Sequence, residues 1–175
     1  MLRLLLLRHA KSDWADAELR DFDRPLNSRG RSAARAMATF LAEAKLKPNL
    51  ILCSTARRTR ETLSRLLPVM THEADVRLLH TLYDDSEGNY LPQIRQFGKD
   101  ARTLMVIGHN PAIEQSAHGL FGSGEMELKS DMELKYPSGA LAIYECPIDR
   151  WADLKPETCR LEAFIKPRSL PGEEG

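Results

Sequence analysis

Residues 2–7 form an apolar run, Leu-Arg-Leu-Leu-Leu-Leu, that stops abruptly at Arg8-His9-Ala10-Lys11-Ser12. A run this short cannot make a core helix, and its nearly unbroken apolar character suits a strand covered on both faces, as in a parallel sheet layered with helices. Such a strand delivers Arg8 and His9 at its carboxyl end. Ligands of open α/β sheets bind at that edge, so a guanidinium beside an imidazole there marks an anion site with a candidate nucleophile or base. The plainer reading is a strand end whose polar residues face water.

The chain repeats this plan. Residues 12–24 are polar and acid-rich without a clear period, and Pro25 closes them, which predicts a loop lying over the strand end. Asn27 or Ser28 is expected to cap a helix through residues 31–43, with Ala33, Met37, Phe40, Leu41 and Ala44 at helical spacing. After Pro48, residues 49–53 read as a second buried strand. Strand, helix and strand within about fifty residues predict a βαβ unit with parallel pairing. Ser54 or Thr55 is the expected cap of a further helix running to Pro68, its amino end at the same sheet edge. Arg57, Arg58 and Arg60 fall in its first turns, against the helix dipole, an arrangement easier to understand with an anion nearby. Taken alone, a solvated basic helix face explains them better.

Residues 75–83 read as a short edge strand or extended segment, Asp84, Asp85 and Glu87 as an acidic turn, and residues 89–97 as helical. Residues 103–107 are the clearest β-branched apolar run and end in Gly108-His109-Asn110-Pro111, a second strand with a histidine at its end. A helix over 112–121 follows, and then a glycine- and charge-rich stretch, 122–136, that predicts a long surface loop with a lid-like role in partner specificity. Residues 140–146 and 160–165 read as the last strands, and 167–175 as a frayed tail. The expectation is one domain over residues 1–166, a three-layer α/β/α sandwich around a mostly parallel sheet.

A chain of 175 residues can bury one sizeable core. Its 25 basic side chains balance 25 acidic ones, so charge gives no support to nucleic acid or a membrane surface as partner. No stretch approaches the roughly 18 apolar residues of a membrane span, and Arg8 ends the leading leucines too early for a signal peptide. A cytoplasmic location is expected. Cys53, Cys146 and Cys159 are odd in number and widely spaced, which argues against a disulfide framework or a zinc site; Cys53 and Cys146 read as small buried hydrophobes.

Three strand ends thus bring Arg8, His9, Arg58 and His109 to one edge, a cationic pocket with few competing carboxylates in its motifs. Planar multi-donor arginines suit a phosphoryl group. Histidine is a competent phosphoryl acceptor when its other ring nitrogen is held in one tautomer.

The blocks Leu6-Leu7-Arg8-His9-Ala10, Pro25-Leu26-Asn27-Ser28-Arg29-Gly30, Ser54-x-x-x-Arg58-x-x-x-Thr62 and Gly108-His109-Asn110-Pro111 resemble, in order, those of the histidine phosphatase (phosphoglycerate mutase-like) superfamily. Within it the chain is most similar to the short phosphohistidine phosphatases of the SixA type, from residue 2 to about residue 145. The resemblance implies that His9 is transiently phosphorylated while Arg8, Arg58 and His109 hold the phosphoryl oxygens. Ser12, Ser54 and Asn110 are the accompanying substrate-binding candidates, and no metal or cofactor is implied. The family spacing selects Arg58, leaving Arg57 on the helix surface and Arg60 as a rim contact. Ala10 replaces a frequent glycine, and Ala15 stands where mutase-like members carry a phosphate-contacting asparagine. Larger branches also supply a carboxylic acid after the third strand; only Asp84, Asp85 and Glu87 are near that place, without a matching motif, so the proton donor stays open among these or none.

A sugar alkoxide needs a proton on leaving, where general acid catalysis contributes roughly 100- to 10,000-fold, whereas a phosphorylated imidazole leaves once its ring is protonated by solvent. This favours phosphohistidine on a protein as the substrate. The alternatives are a small-molecule phosphomonoesterase, and a non-catalytic module that binds phosphorylated partners. A metal-dependent hydrolase using His9 and His109 would need further ligands, and His72, His80 and His118 lie outside the strand-end motifs.

Overall fold

Alternation along the central strands builds the layers. In β1 (Leu2–Arg8), Leu2, Leu4 and Leu6 pack into one apolar layer and Leu5 and Leu7 into the other. The computed structural model, which describes residues 1–172, divides β2 (Leu50–Ser54) and β4 (Thr103–Gly108) the same way. Leu50, Leu52, Leu104 and Val106 join the first layer, and Ile51, Cys53, Met105 and Ile107 the second. Each fully buried aliphatic side chain contributes roughly 1.5–3 kcal/mol, so polar residues are admitted only where the strands end. The apolar runs therefore stop where the candidate functional residues begin.

Among the described residues seven strands form one sheet. To the three above it adds β3 (Asp75–Leu79), β5 (Phe121–Gly124), β6 (Leu141–Cys146) and β7 (Cys159–Ile165), in the order β3-β2-β4-β1-β6-β7-β5. Only β6 runs against its neighbours, so the sheet is mostly parallel as expected. One face is covered by α1 (Ser28–Glu43) and α2 (Arg57–Leu66), through Met37, Ala38, Leu41, Leu63 and Leu66. The other carries α3 (Thr81–Asp84), α4 (Leu91–Phe97), α5 (Ala112–Leu120) and α6 (Met126–Leu134), anchored by Leu82, Ile94, Ile113 and Met132. This is the three-layer α/β/α sandwich. Cys53, Cys146 and Cys159 are all free and buried, and among the described residues no helix is long and apolar enough to cross a membrane.

Several local expectations are corrected. Residues 122–136 are not a loop: β5 pairs in parallel with β7, and α6 follows it, with Met132 and Tyr136 buried. Neither Ser54 nor Thr55 caps α2; the cap position is Ala56, and Ser54 Oγ accepts the Ala56 N–H at 3.2 Å, one step earlier. The expected tail starts late, because Pro167 is buried in a 3-10 turn over 167–169 and Leu170 packs on the second layer. The remainder of that call, residues 173–175, lies outside the described residues. For α1 the cap is Asn27, whose Oδ1 accepts the Gly30 N–H at 2.8 Å.

Gly30 sets how closely α1 approaches the turn after β1. Asn27 N–H donates to the Lys11 carbonyl at 3.0 Å, and a Cβ on Gly30 would lie 2.0 Å from that same oxygen. Glycine to alanine inside a helix ordinarily stabilises by about 1 kcal/mol. Here the collision reverses the sign: Gly30→Ala is expected to destabilise by roughly 1–3 kcal/mol in urea denaturation, as overpacking does, and a stabilised variant would refute this packing account.

Candidate active site

The first strand end is fixed from both sides. His9 N–H donates to the Gly108 carbonyl at 3.0 Å, joining β1 to β4, and Gly139 N–H reaches the His9 carbonyl at 2.9 Å from the β6 side. His9 is buried, and its Nδ1 lies 2.7 Å from the Ala10 carbonyl. A carbonyl only accepts, so Nδ1 carries the proton and Nε2 keeps its lone pair. Ala10 is held in turn, its N–H donating to Thr62 Oγ1 at 3.0 Å while the Thr62 hydroxyl donates to the Arg58 carbonyl at 2.8 Å.

The second histidine is fixed by the opposite nitrogen. Ser54 Oγ takes the Ala56 N–H and lies 2.8 Å from His109 Nε2. Donating its own proton to that nitrogen satisfies both groups and leaves the His109 proton on Nδ1. The His109 backbone N–H donates to the Tyr90 hydroxyl at 3.0 Å, and that hydroxyl donates to the Leu82 carbonyl at 2.7 Å. Gly108 makes room: a Cβ there would meet the Tyr90 ring at 2.5–2.9 Å. The His9 and His109 rings end 5.3 Å apart, centroid to centroid.

Arg58, one turn before Thr62 on α2, faces inward. Its NH1 donates to the Asp21 carbonyl at 2.7 Å and its NH2 to Asp21 Oδ2 at 3.1 Å. Asp21 Oδ1 receives Arg24 NH2 at 3.0 Å, and Tyr83 OH donates to Oδ2 at 2.8 Å. Partial burial pushes the Asp21 carboxyl up, but the Tyr83 hydroxyl and the Arg58 guanidinium outweigh it and bring it down to about 2. Arg8 NH1 donates to the Tyr136 carbonyl at 2.9 Å, which also accepts Asn110 Nδ2 at 3.1 Å.

These residues surround a cleft of about 300 Å³ whose walls carry Arg8, Lys11, Arg24 and Arg58 and both histidines. Among the described residues no carboxylate lines it. Arg8 Nε, Arg58 Nε and His109 Nδ1 are buried donors without a hydrogen-bond partner among the described residues, a costly state for polar groups unless an acceptor is brought to them. Ser12 and Asn110 also line the cleft, and the Ser12 hydroxyl accepts from Arg24 NH1 at 2.9 Å. Ser54 does not line it. It is fully buried behind His109, so its expected contact with substrate is corrected to a contact with His109. Arg57 is a surface residue paired with Glu61 at 2.9 Å. Arg60 holds the Thr55 carbonyl at 2.8 Å instead of the cleft rim.

Sequence reasoning missed Asp21, Arg24, Lys11 and Trp14. Arg24 is buried and lies 3.4 Å over the ring of Trp14, itself 74% exposed at the mouth. The available signal was position: all four fall within or beside the loop expected to lie over the strand end, and Asp21 and Arg24 stand three residues apart just before Pro25.

Both histidines are held neutral. Burial first, then neighbouring His109, keeps His9 well below its ordinary value of 6.5; burial and the charge of Arg58 bring His109 down to about 3. The unfolded chain therefore binds more protons than the folded one below about pH 6.5, so stability present above that pH is lost as pH falls toward about 3. Urea denaturation at about pH 7 and about pH 4.5 is expected to show this loss, and to show less of it in His109→Gln. Equal slopes in the two proteins would rule the burial account out.

Comparison with known proteins agrees with the geometry. The profile of the histidine phosphatase superfamily (branch 1) matches residues 4–125, which include Arg8, His9, Arg58 and His109. Over 93% of its length the chain is 30% identical to an uncharacterized protein of Mycobacterium tuberculosis strain H37Rv, all of which is covered. Over 130 residues, 69% of its length, it is 38% identical to an uncharacterized chloroplastic protein of Arabidopsis thaliana, of which the match spans 60%. Among solved structures, the protein assigned as phosphohistidine phosphatase SixA in Agrobacterium tumefaciens superposes with a TM-score of 0.78 at 30% identity, over 94% of this chain and 96% of that one. Since these likenesses reach from β1 through β5 and take in the strand ends that build the cleft, the chain belongs to the histidine phosphatase superfamily, branch 1.

Proposed function

We propose that the chain is a cytoplasmic phosphatase that removes phosphoryl groups from phosphohistidine on proteins. The observation that carries this reading is the free lone pair on His9 Nε2, placed in a cationic cleft beside three unpaired buried donors. His9 Nε2 attacks phosphorus, forming an N–P bond as the bond to the leaving nitrogen breaks. The phosphoryl oxygens, which carry negative charge throughout, are received by Arg8, Arg58 and the His109 Nδ1–H. The departing imidazole takes its proton from solvent. Water then attacks phosphorus, the N–P bond to His9 breaks, and inorganic phosphate leaves with His9 again neutral. Ser12 and Asn110 line the approach, while Ser54 acts through His109.

The choice of leaving group follows from the carboxylates. Asp84 lies 3.5 Å from His80, Asp85 accepts from Gln93 at 2.6 Å, and Glu87 is exposed; none lines the cleft. Asp21, brought down to about 2, is ionised near neutral pH and has no proton to give. A cleft so equipped suits a nitrogen leaving group, which needs no strong acid, better than an alkoxide.

The test is phosphate release from a phosphohistidine-bearing protein and from p-nitrophenyl phosphate, with chelator present, by wild type and His9→Ala. Rapid release from the protein and a loss of at least about a thousand-fold in the variant are expected. Hydrolysis of the small ester alone would replace this reading with a small-molecule phosphomonoesterase. Tight phosphate binding without release from either would point to a non-catalytic phosphate-binding module, and inhibition by chelator would refute the metal-free route.

A further inference from the structure

The edge strand β3 is exposed although its neighbour β2 is buried along its whole length. Its first four residues are exposed, among them Val76 at 42% and Leu78 at 51%. In register these two lie beside Ile51 and Cys53 of β2, which belong to the apolar layer under α1 and α2, so that layer runs out to solvent along the edge. Arg77 points to the opposite face, where its guanidinium sits 4.8 Å over the Phe97 ring of α4.

The backbone restricts what can add to this edge. Asp75 N–H donates to the Asn49 carbonyl at 2.8 Å, so Asp75 and, by the two-residue period, Arg77 and Leu79 direct their main-chain groups at β2. Ala74, Val76 and Leu78 direct theirs outward, where an open edge is a template for another strand. A two-fold antiparallel pairing of β3 with itself can then be centred on Asp75, Val76 or Arg77. Centring on Asp75 or Arg77 sets like charges face to face on the axis, which destabilises a cross-strand pair. Centring on Val76 sets Asp75 of each copy opposite Arg77 of the other, both on the α4 face, and joins Val76 to Val76 on the apolar face. Val76 then exchanges both main-chain bonds with its counterpart, and Ala74 exchanges its own with Leu78 of the other copy.

We propose that β3 is a self-association edge, through which two copies of the chain pair antiparallel about a two-fold axis at Val76 and continue one sheet across both. A closed two-fold pairing consumes the edge it uses, so association stops at the dimer. Val76 lies toward the amino end of its strand, whereas the cleft is at the carboxyl ends, so pairing leaves the cleft open.

Sedimentation velocity of the full chain from about 10 µM to about 1 mM, a range suited to a short interface, tests this. A concentration-dependent dimer is expected. Asp75→Arg and Arg77→Asp should each weaken it about tenfold or more, since every charge contact occurs twice, and the double variant should restore it. Thermal melts and phosphatase activity of the variants serve as folding controls. Register is read separately: Val76→Cys should form an intermolecular disulfide, its counterpart about 5.5 Å away by Cα, and Leu78→Cys should not. A wild type that stays monomeric throughout overturns the proposal and leaves the edge to another occupant or none. A dimer indifferent to the charge swaps, or not restored by the double variant, overturns the pairing.

Discussion

The hydrogen bond from His9 Nδ1 to the Ala10 carbonyl orients the chemistry of the whole cleft. With the proton held on one ring nitrogen, the other presents a lone pair; reversed, the same ring would present an N–H to an anion and do nothing more than bind it. The bond is short range, between neighbours in sequence, and for that reason weak at fixing geometry unless the carbonyl is itself immobile. Much of the surrounding structure supplies that immobility. Thr62 clamps the Ala10 amide to α2, Gly108 holds the His9 amide to β4, and the absence of a side chain on Gly30 lets α1 close on Lys11. The apolar strands beneath are the rigid floor on which these contacts rest.

A second requirement follows from charge. Four cationic side chains around one cleft repel one another, and burial adds to the difficulty: Arg8 is driven down from its ordinary value by burial and by Arg58, with Glu114 opposing. The fold eases this without placing a carboxylate in the cleft wall. Asp21 stands outside the cleft lining, bridging Arg24 and Arg58 through its two oxygens and taking a further bond from Tyr83. Both guanidinium groups are therefore held by one anion that is not part of the cleft lining. Solvent screens the half-exposed Asp21, so each bond contributes about 1 kcal/mol or less, but together they hold the fork of each buried arginine in one orientation.

What could be read from the sequence and what could not divides along physical lines. Runs such as Leu2 to Leu7 and Leu104 to Ile107 declare themselves because burial on both faces leaves no polar position to confuse the period. The four-residue spacing from Arg58 to Thr62 is readable because one helical turn keeps both on one face. The stretch over 122–136 misleads for the converse reason. The strand β5 is short and glycine-containing, stabilised by its pairing with β7 far along the chain, and α6 buries little beyond Met132. Asp21 was hidden because its salt bridge to Arg58, thirty-seven positions away, leaves no local trace; its pairing with Arg24 is local but, at a spacing of three, reads like any surface ion pair. Ser54 was placed correctly at the strand end, but whether a hydroxyl touches a substrate or a neighbouring imidazole depends on burial, which spacing does not encode.

The contact between Gly108 and Tyr90 carries a consequence for how such a chain can change over time. The aromatic ring occupies the volume that any side chain at position 108 would need, and its hydroxyl is the acceptor that the His109 backbone uses. The two positions are therefore one unit of variation, although they stand eighteen positions apart. Enlarging residue 108 demands a smaller residue at 90, and a smaller residue at 90 strips His109 of its anchor. Drift at this pair therefore requires, besides the two replacements, a new acceptor for the His109 amide.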